Sequence, residues 1–561
     1  MKTINRNYLW ILLISILSST ACKKSDGNST PVTPPPTTAL AILNTKLDNI
    51  VATAPAVNYN IRPAVAVRLA FNNAIKRSSV AGAVSILENG SVSIPVSYNY
   101  ERSDSVLVVT STAPLKYLTR YTVTAASDLQ SIGNSNLSTS SSVILQTQID
   151  SSRKFPLLTD NALLDLVQQQ TLKYFWDFGH PVSGLARERN TSGELVTSGG
   201  SGFGIMSVIT GVNRGFITRA QGLARLQTMV AFLKNTAQTF HGAYPHWLNG
   251  TTGAVIPFSI KDNGADLVET SYLMQGLLCA RQYFNAAGTE ATLRADINTI
   301  YNRVEWSWFR NGGQNTLFWH WSPNYFWEMN MQIRGWNESL ITYVLAASST
   351  TFAIPASVYN NGWKGAPGFV NGNIYFGYTL PLGPALGGPL FFSHYSFLGI
   401  NPNGLIDASA NYATQTKNHT LINYNYSKAN PRGYFGYSDS VWGLTASDIQ
   451  NGYTASSPTN DVGVIAPTAA LSSFPYTPAE SMAALKFYYY VLGDKIWKEY
   501  GFVDAFSLND LWFASSTLAI DQGPIVVMIE NYRSRLLWDL FTSCPEVKTG
   551  MQTLGFTAPY L

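Results

Sequence analysis

Three carboxylates at close spacing are the residues of this sequence best suited to chemistry. Asp262, Asp266 and Glu269 lie in the segment KDNGADLVETSYLMQG, four and three residues apart. If Gly264 only marks the start of a helix, this spacing places the three side chains on one helix face. Hydrogen bonds from a polyhydroxylated ligand, or acid–base chemistry with separated pKa values, would explain such a cluster of like charges. A solvated helix face is the alternative interpretation.

A fourth acidic residue stands in the segment Gly335-Trp336-Asn337-Glu338, just before the helical pattern ESLITYVLAAS. The dipole at a helix start favours the anion of Glu338. A general acid at this position therefore needs burial or neighbouring carboxylates to raise its pKa. Trp336 beside it is either a platform for a sugar ring or a core residue, and the core is the commoner place for a tryptophan.

The composition favours a neutral, hydroxyl-rich ligand over a nucleic acid. Of 561 residues, 12% are charged and 13% are aromatic, and the net charge is +4. A nucleic-acid-binding protein would show a dense basic surface, so we expect no nucleic-acid partner. Tyr, Trp, Asn, Ser and Thr are abundant, and such side chains suit the C–H faces and hydroxyl rims of sugars.

Metal and cofactor motifs do not stand out in the sequence. None of the six histidines occurs in an HxH, HExxH or Cys/His pattern, so we expect no metal and no other cofactor. Cys279, in the apolar run GLLCAR, is predicted to be a small buried hydrophobic residue. A bridge between Cys279 and Cys544 is the alternative in an oxidising compartment.

The first residues have the order of a secretory signal. Basic Lys2 and Arg6 are followed by an apolar stretch and small residues, which predicts a signal peptide over residues 1–21. The segment STAC resembles a bacterial lipobox and implies lipidation of Cys22, although Ser19 departs from the usual Leu and leaves simple release open. Residues 22–38, rich in Pro and Thr, are predicted to tether the protein to the membrane through this lipid. We expect a monomer in the periplasm or at the outer-membrane surface.

Residues 39–150 show the pattern of a small all-β domain. Short alternating segments such as AVAVRLAF, VSIPVSYNY, SVLVVTST, RYTVTAA and SVILQTQ predict an antiparallel sandwich. The only tryptophan before residue 150 is Trp10, which supports a domain boundary there. The segment PLKYLTRYTVTAASDLQSIGNS resembles bacterial Ig-like modules, and this resemblance implies a spacer or a weakly adhesive role.

Residues 151–561 show the periodicity of helices. Seven segments carry apolar residues at intervals of three and four, and long aromatic loops separate them. Roughly a dozen amphipathic helices with loops that build one cleft predict an (α/α) toroid. The segments are NALLDLVQQQTLKYFWDF, TRAQGLARLQTMVAFLKNTA, DLVETSYLMQGLLCARQYFNAA, ATLRADINTIYNRVEWSWF, NESLITYVLAAS, AESMAALKFYYYVLGD and ENYRSRLLWDLFTSC.

Eight segments in one order carry a resemblance to a known family. They include NALLDLVQQQTLKYFWDFGHPVSGLARERN, SGGSGFGIMSVITGVNRGFIT, KDNGADLVET, GWNE, WGLTASD, SFPYTPAES, YGFVDAFSL and DQGPIVVMIENYRS. The chain resembles the bacterial glucoamylase-like proteins, and within them it looks most like the endo-β-1,2-glucanases. This resemblance covers about 400 residues and implies an (α/α)6 toroid that cleaves internal β-1,2-glucosidic bonds of glucans.

The resemblance also implies roles for particular residues. Glu338 takes the place of the proton donor, and Asp262, Asp266 and Glu269 border the cleavage subsites. Asp521 looks like a further acid of the cleft, although an ordinary helix start is its alternative. The arginines of GLARERN either clamp sugar hydroxyls or pair with carboxylates. The predicted substrate contacts beside Glu269 are Arg187, Arg189, Trp336, Tyr375, Tyr378, His394 and Tyr395.

The chemistry that the resemblance implies is inverting hydrolysis. One carboxylic acid protonates the leaving oxygen while a carboxylate about 6.5–9.5 Å away activates water on the opposite face. The sequence leaves open whether Asp262, Asp266 or Asp521 is this base. A glycan-binding lipoprotein without catalysis, a toroid hydrolase or transglycosylase for another glucan linkage, and a polysaccharide lyase are the alternatives. The number of acids favours the hydrolase, because a binder needs no proton donor and a lyase needs more basic residues.

Overall fold

The computed structural model describes residues 38–561, which form two compact units. The first unit comprises residues 38–58, 64–114 and 121–145, and the second comprises residues 59–63, 115–120 and 146–561. The predicted signal peptide, Cys22 and the tether up to residue 37 lie outside the described residues. The predicted boundary between residues 150 and 151 stays a prediction.

The N-terminal part is built from two five-stranded sheets, with strand orders β2-β1-β4-β8-β7 and β3-β10-β9-β5-β6. Side chains alternate between the core and the surface along β4 and β9, as the period of a strand requires. This confirms the predicted all-β region. The elements are β1 Ile42–Leu47, β2 Ile50–Val51, β3 Val57–Ile61, β4 Val67–Phe71, the short helix α1 Val80–Ala83, β5 Val84–Glu88, β6 Val92–Ser93, β7 Val96–Glu101, β8 Val106–Ser111, β9 Arg120–Ala125 and β10 Ser141–Thr147.

The second unit is mainly helical, and each of the seven segments predicted to be helical contains a helix. The helices are α2 Asp160–Trp176, α3 Ser198–Asn213, α4 Arg219–Asn235, α5 Leu267–Tyr283, α6 Thr289–Asn302, α7 Leu340–Ser348, α8 Ala356–Val358, α9 Tyr412–Ala429, α10 Pro467–Leu471, α11 Pro478–Tyr490, α12 Gly493–Ile496, α13 Ala519–Ser534, α14 Leu536–Thr542 and α15 Pro545–Thr553. The last predicted segment is two helices, because Arg535 between them has a left-handed backbone with φ 63°.

The helices form two layers. Helices α3, α5, α7 and α13 are buried along almost their whole circumference, whereas α4 and α6 bury one stripe. Helix α3 packs against α2, α4, α5 and α13, and α5 also packs against α6, α7 and α14. An all-round apolar helix belongs inside a large domain. The starts of α3 and α5 thereby lie deep in the unit, where they carry the residues of the site.

Glycines bring α3 and α5 into close contact. A Cβ at Gly202 would lie 2.7 Å from Leu273 Cα, and a Cβ at Gly276 would lie 2.9 Å from Gly202 Cα. Such distances are too short for real Cβ atoms, so neither residue can carry a side chain without moving the helices apart. The glycine-rich segment SGGSGFG therefore forms a buried helix rather than a loop.

Short antiparallel strands brace the loops between the helices. They are β11 Leu195–Thr197, β12 Trp247–Asn249, β13 Val255–Ile256, β14 Ala265–Asp266, β15 Leu317–Phe318, β16 His320–Trp321, β17 Gln332–Ile333, β18 Ile374–Tyr375, β19 Tyr378–Thr379, β20 Ala446–Ile449, β21 Gly452–Ala455, β22 Trp497–Lys498, β23 Gly501–Phe502, β24 Phe506–Ser507 and β25 Trp512–Phe513. Strands β11, β12 and β13 form one sheet, and the others pair two by two.

The two cysteines of the described residues lie in the core. Cys279 and Cys544 are both buried, and neither forms a disulfide within residues 38–561. Burial raises the pKa of the Cys279 thiol well above its usual value, as expected for a small core residue. In the same range, no helix has both the length and the apolar character needed to cross a bilayer.

Candidate active site

The start of helix α5 fixes the first acidic residues of the site. Asp266 is its N-cap residue: Oδ1 accepts hydrogen bonds from the amides of Val268, at 3.0 Å, and of Glu269, at 2.9 Å. This aspartate satisfies amides that have no partner inside the helix. Glu269 lies in the first turn, whereas Asp262 lies in the loop before β14. The prediction of one helix face for the three carboxylates is wrong, because the chain is extended at Asp266.

The three carboxylates nevertheless lie together, because two histidines connect them. His320 Nε2 lies 3.4 Å from Asp262 Oδ2 and 3.6 Å from Asp266 Oδ2. His246 Nδ1 lies 3.1 Å from Asp266 Oδ2, and its Nε2 lies 4.0 Å from Glu269 Oε1. Strand pairing between β14 and β16 sets Asp266 opposite His320. We call these five residues the helix-start cluster.

Glu269 joins the starts of two helices. Its Oε2 accepts a hydrogen bond from the amide of Gly199, at 2.9 Å, and lies 3.4 Å from the hydroxyl of Thr197. Thr197 is the N-cap residue of α3, so the positive ends of α3 and α5 both face this carboxylate. Burial raises the pKa of Glu269, and the charge of His246 opposes this rise.

Burial and mutual charge separate the pKa values in the cluster. Burial and the charge of Asp266 raise the pKa of Asp262 to about 6. Burial would also raise the pKa of Asp266, but hydrogen bonds from His246 and His320 reverse this and hold it well below its usual range. For His246 burial favours the neutral ring, yet the charges of Glu269 and Asp266 raise its pKa to about 9. At neutral pH, Asp266 is therefore an anion and His246 a cation, while Asp262, with a pKa of about 6, loses its proton on the acid side of neutrality.

Glu338 has the pKa of a general acid. It lies two residues before α7, and its side chain is half-buried. Burial raises its pKa from 4.5 to about 7, the charges of Glu269 and Asp266 add to this, and a hydrogen bond from its own backbone opposes it. A carboxyl with this pKa keeps its proton in a substantial fraction of molecules at neutral pH. Burial and neighbouring anions thus outweigh the nearby helix start.

Two buried tyrosines lie near both Glu338 and Glu269. Tyr272 and Tyr395 each interact electrostatically with Glu338 and with Glu269, and their rings meet edge to face at 5.6 Å. The hydroxyl of Tyr272 has no hydrogen-bond partner among the described residues. An unpaired buried hydroxyl costs about 1–3 kcal/mol, so a ligand hydroxyl that bonds to Tyr272 would recover part of this cost.

A cavity of about 320 Å³ opens beside Glu269. His246 and Glu269 of the cluster line it together with Tyr395, whose predicted substrate contact stays a prediction. The other lining residues are Glu188, Arg189, Thr197, Trp247, Phe258, Tyr453, Leu518 and Ile520. This mixture of aromatic rings, apolar side chains and a few charges is typical of a site for a neutral polar ligand. A second cavity, of about 550 Å³, shares Arg189 and Tyr453 with the first.

A second acidic group contains Asp521. The Asp521 carboxyl is buried near the start of α13 and hydrogen-bonds to Asp504. Asp504 Oδ2 accepts the amide of Asp448 at 2.6 Å, and Asp448 pairs with Arg189 at 3.1 Å. Burial and the charge of Asp504 raise the pKa of Asp521 well above its usual range. Burial therefore favours the protonated form of Asp521, and Asp521 lines neither of the two cavities, so it is the weaker candidate for the base.

The two predicted arginines have structural partners. Arg187 donates to the carbonyls of Phe178, at 2.7 Å, and Gly193, at 2.8 Å, and its guanidinium lies over the ring of Phe178. The prediction that it pairs with the helix-start carboxylates is wrong, because backbone carbonyls hold Arg187 and two histidines pair with those carboxylates. Its predicted sugar contact stays a prediction. Arg189 does pair with carboxylates, but these are Glu188 and Asp448. It lines both cavities, so its predicted sugar contact stays a prediction.

Trp336 and His394 belong to the core. Trp336 is 5% exposed and packs against the rings of Trp363, Phe397 and Tyr412. His394 is 2% exposed, hydrogen-bonds to Ser473 at 3.0 Å, and has a pKa that burial lowers to about 3. The prediction of substrate contact is wrong for both, because both rings are buried against other side chains.

The segment NIYFGYT forms a hairpin of β18 and β19, in which Tyr375 pairs with Tyr378. Both side chains are partly exposed. Neither residue is among those that line the two cavities described above. Their role as walls of a subsite stays a prediction.

No pattern in the sequence marks the two histidines that organise the site. His246 and His320 lie 74 positions apart, in PHWL and WHWS, and only the fold brings them to Asp266. The one local signal is shared: each histidine is followed directly by tryptophan. His246, Asp262 and Asp266 also offer ligand atoms within 4.8 Å of one another, close enough to hold a cation. His246 and Asp266 already hydrogen-bond to each other at 3.1 Å, whereas Oδ1 of Asp262 has no hydrogen-bond partner among the described residues.

Two families match the chain in separate regions. Residues 330–545 match the family described as "Putative glucoamylase", and residues 44–146 match a bacterial Ig-like domain. A protein of known structure from Bacteroides uniformis, described as a putative glucoamylase, is 54% identical in sequence. The match covers 72% of this chain and 100% of that protein, with a TM-score of 0.72. The fold and the carboxylate-rich cleft thus define a helical protein of the glucoamylase type.

An endo-β-1,2-glucanase from Chitinophaga pinensis, solved with sophorotriose and glucose, is 51% identical; 72% of this chain covers all of that structure, with a TM-score of 0.71. An exo β-1,2-glucooligosaccharide sophorohydrolase from Parabacteroides distasonis is 44% identical over 432 residues. The match covers 73% of this chain and 60% of that relative's length. The chain belongs to the glucoamylase-like family and carries a bacterial Ig-like domain at its N-terminal side.

Proposed function

We propose that this protein is a glycoside hydrolase that cleaves internal β-1,2-glucosidic bonds with inversion at the anomeric carbon. The observation that carries this proposal is that the pKa of Glu338 is raised to about 7, while the pKa of the neighbouring Asp266 is held well below its usual range. Two carboxyl groups with separated pKa values are what an acid and a base need. Relatives that act on β-1,2-linked glucose, by their names, support the substrate.

Glu338 is the proton donor in this proposal. Its carboxyl gives a proton to the glycosidic oxygen as the bond from that oxygen to the anomeric carbon breaks. The carboxylate left behind is then an anion among Glu269 and Asp266, whose charges already raise the pKa of Glu338. This repulsion favours return of a proton to Glu338 before the next reaction cycle.

Glu269 is the base that the geometry supports best. Among the acidic residues of the helix-start cluster it is the one that lines the 320 Å³ cavity, so its carboxylate can reach a water molecule beside a bound sugar. Its Oε2 is held by Gly199, and Oε1 faces His246 at 4.0 Å. Asp266 is bound as a helix cap, and we assign it and Asp262 the task of holding the two histidines.

The proposed water activation follows from this arrangement. Glu269 accepts a proton from water while the water oxygen forms a bond to the anomeric carbon on the face opposite the leaving oxygen. His246 is a cation with a pKa of about 9, and its charge reduces the repulsion between the carboxylates of Glu269 and Asp266. The reaction then inverts the anomeric carbon in one step and needs no covalent intermediate.

The adjoining cavities support cleavage inside a chain. The cavities of about 320 and 550 Å³ meet at Arg189 and Tyr453, so together they form room for several sugar units on one side of Glu269. Tyr453, Trp512 and Phe513 offer rings to the C–H faces of those units. Release of disaccharides from a chain end is the second candidate, which the sophorohydrolase relative supports.

Two finer features are proposals as well. The inner helices α3, α5, α7 and α13 with their outer partners support an (α/α)6 toroid as the frame of the cleft. Lipidation of Cys22 would hold the enzyme in the cell envelope, where it meets glucan outside the cytoplasm. Replacement of Cys22 by Ser should move the protein from the membrane fraction to the soluble fraction, and unchanged detergent partitioning would exclude the anchor.

The proposed function is tested with purified protein and linear β-1,2-, β-1,3-, β-1,4-, β-1,6- and α-1,4-glucans. We expect cleavage of the β-1,2-glucan alone. Products sized early in the reaction should have mixed lengths, and proton NMR of the first products should show the α-anomer. Disaccharide as the sole early product would support the chain-end alternative, and cleavage of another linkage alone would contradict the substrate.

A further inference from the structure

Two loops beside the helix-start cluster present apolar side chains to solvent. Residues 257–260 and 323–326 are exposed along their whole length. Their large apolar members, with exposed fractions, are Phe258 at 50%, Ile260 at 76%, Tyr325 at 36% and Phe326 at 64%. We call these four residues the aromatic rim.

The rim is continuous with the candidate active site. The ring of Phe258 lines the 320 Å³ cavity and stacks on His246, with ring centroids 4.4 Å apart and planes inclined by 25°. The backbone of Phe258 donates to the carbonyl of Asp262 at 2.9 Å. One loop therefore carries a helix-start carboxylate at one end and an exposed ring at the other.

The two loops are bound to each other as one surface. Asn263 donates to Asn324 at 2.7 Å and accepts from Ser322 at 2.6 Å. A Cβ at Gly264 would lie 2.8 Å from Pro323 Cδ, so this glycine is required for the close approach of the loops. Such bonding gives the rim a fixed shape before any ligand arrives.

The tip of the second loop is strained. Phe326 has a left-handed backbone with φ 52°, which is rare for a bulky residue. Reciprocal backbone hydrogen bonds with Ser322, at 3.0 and 2.7 Å, close this turn. The turn thus holds a large ring in water at a conformational cost, which is a mark of a binding residue rather than of a core residue.

We propose that the aromatic rim binds the part of a neutral glucan chain that extends beyond the catalytic cavity. This inference rests on the proposed function. The pyranose C–H faces of a sugar chain would stack on Phe258, Phe326 and Tyr325. Lys261 and Glu328 beside the rim pair with each other at 2.7 Å, so the surface offers no net charge to attract an ionic partner. The 550 Å³ cavity, which adjoins the catalytic cavity at Arg189 and Tyr453, is one extended region for a long chain, and the rim is the second.

The test compares long and short substrates on rim variants. Phe326→Asn removes the ring and places a residue that accepts a left-handed backbone. Phe258→Ala removes the ring next to the cavity, and Ile260→Ala shortens the exposed apolar side chain of the same loop. Ile132→Ala is the matched control, because Ile132 is exposed to 75% in a turn between β9 and β10. Each lost ring should raise KM for long β-1,2-glucan about 3- to 10-fold. The Phe326→Asn variant should keep its kcat and its KM for the shortest oligosaccharide that is cleaved.

Binding without turnover provides the second readout. β-1,2-Glucan cast into a native gel should retard the Glu338→Gln protein, which binds glucan but does not cleave it. Adding Phe326→Asn to this protein should reduce the retardation. Adding Ile132→Ala should leave the retardation unchanged. If the rim variants have the wild-type KM for long glucan and the wild-type retardation, and the wild type cleaves β-1,2-glucan, the proposed role of the rim is wrong. A wild type that does not cleave this glucan would overturn the proposed function, and the rim with it.

Discussion

The carboxylate of Glu269 accepts a hydrogen bond from the amide of Gly199, 2.9 Å away. Glu269 lies in the first turn of α5 and Gly199 in the first turn of α3, so this bond ties two helix starts to one another. It also fixes one oxygen of the proposed base and leaves the other facing His246 and the cavity. The orientation of Glu269 thus depends on a glycine 70 positions away in the sequence.

This relationship predicts that Gly199→Ala damages catalysis. A Cβ at this position would lie 2.9 Å from Glu269 Cδ and 2.9 Å from the ring of Tyr272. Overpacking of this kind costs about 1–3 kcal/mol of stability, and displacement of a catalytic group by about 1 Å costs about 10²-fold in rate. Steady-state kinetics and urea unfolding measure the two effects. Gly82→Ala, with open space around it, is the control and should change neither.

The pKa of Glu338 predicts the pH dependence of activity. Above pH 7 the proposed acid loses its proton, so kcat/KM should fall as the pH rises through about 7. In Glu338→Gln the remaining activity should lack this alkaline limb, because glutamine does not titrate. A pH profile of β-1,2-glucan hydrolysis from pH 5 to pH 9 measures both. An alkaline limb that persists unchanged in the variant would assign that limb to another group.

The same group predicts how stability changes with pH. Between pH 4.5, the ordinary pKa, and about pH 7, folded Glu338 keeps a proton that the unfolded chain has lost. The folded state then binds more protons, so the contribution of Glu338 to stability falls as the pH rises through this window. Urea unfolding at pH 5 and at pH 7.5 should show a smaller loss in Glu338→Gln than in the wild type. An equal loss in both proteins would contradict the raised pKa.

The cation of His246 is predicted to stabilise the site. Removal of one partner from a buried charge pair costs about 3 kcal/mol, because Asp266 is 0% exposed and would lose the nearer of its two histidine partners. His246→Gln should therefore lower the free energy of unfolding by about that amount and reduce turnover. His241→Gln is the matched control: His241 pairs with Glu305 where both side chains are about one-third exposed, so its loss should cost less than about 1 kcal/mol.

Local patterns in the sequence predicted a large part of the fold. The periods of two and of about 3.6 residues located β4 and β8 in the N-terminal sheets and α2, α4 and α5 in the helical unit. Helix α3 was not predicted, because its many glycines are typical of a loop. These glycines allow close contact between α3 and α5, and no local pattern in the sequence shows that contact. Helix α9 escaped because YATQTKNHTLINYNYSKA is polar and aromatic rather than amphipathic.

The candidate site was predicted in part. The acidic residues near 262–269 were found, but their grouping depends on His246 and His320, which strand pairing and loop packing bring in from distant segments. Trp336 and His394 stand next to site residues in the sequence, yet their side chains point into the core. Proximity along the chain does not determine which side of a loop a ring faces. The partners of Arg187, two backbone carbonyls, are equally invisible in a sequence.

Turnover of linear β-1,2-glucan by Glu338→Gln tests the central claim most directly. Glutamine keeps the size of the side chain and much of its hydrogen bonding but has no proton to give, so kcat should fall about 10²- to 10⁴-fold while glucan binding survives. Glu305→Gln, a partly exposed residue paired with His241, is the control and should keep wild-type turnover. A folded Glu338→Gln protein with near wild-type kcat would remove Glu338 from the reaction and contradict the account.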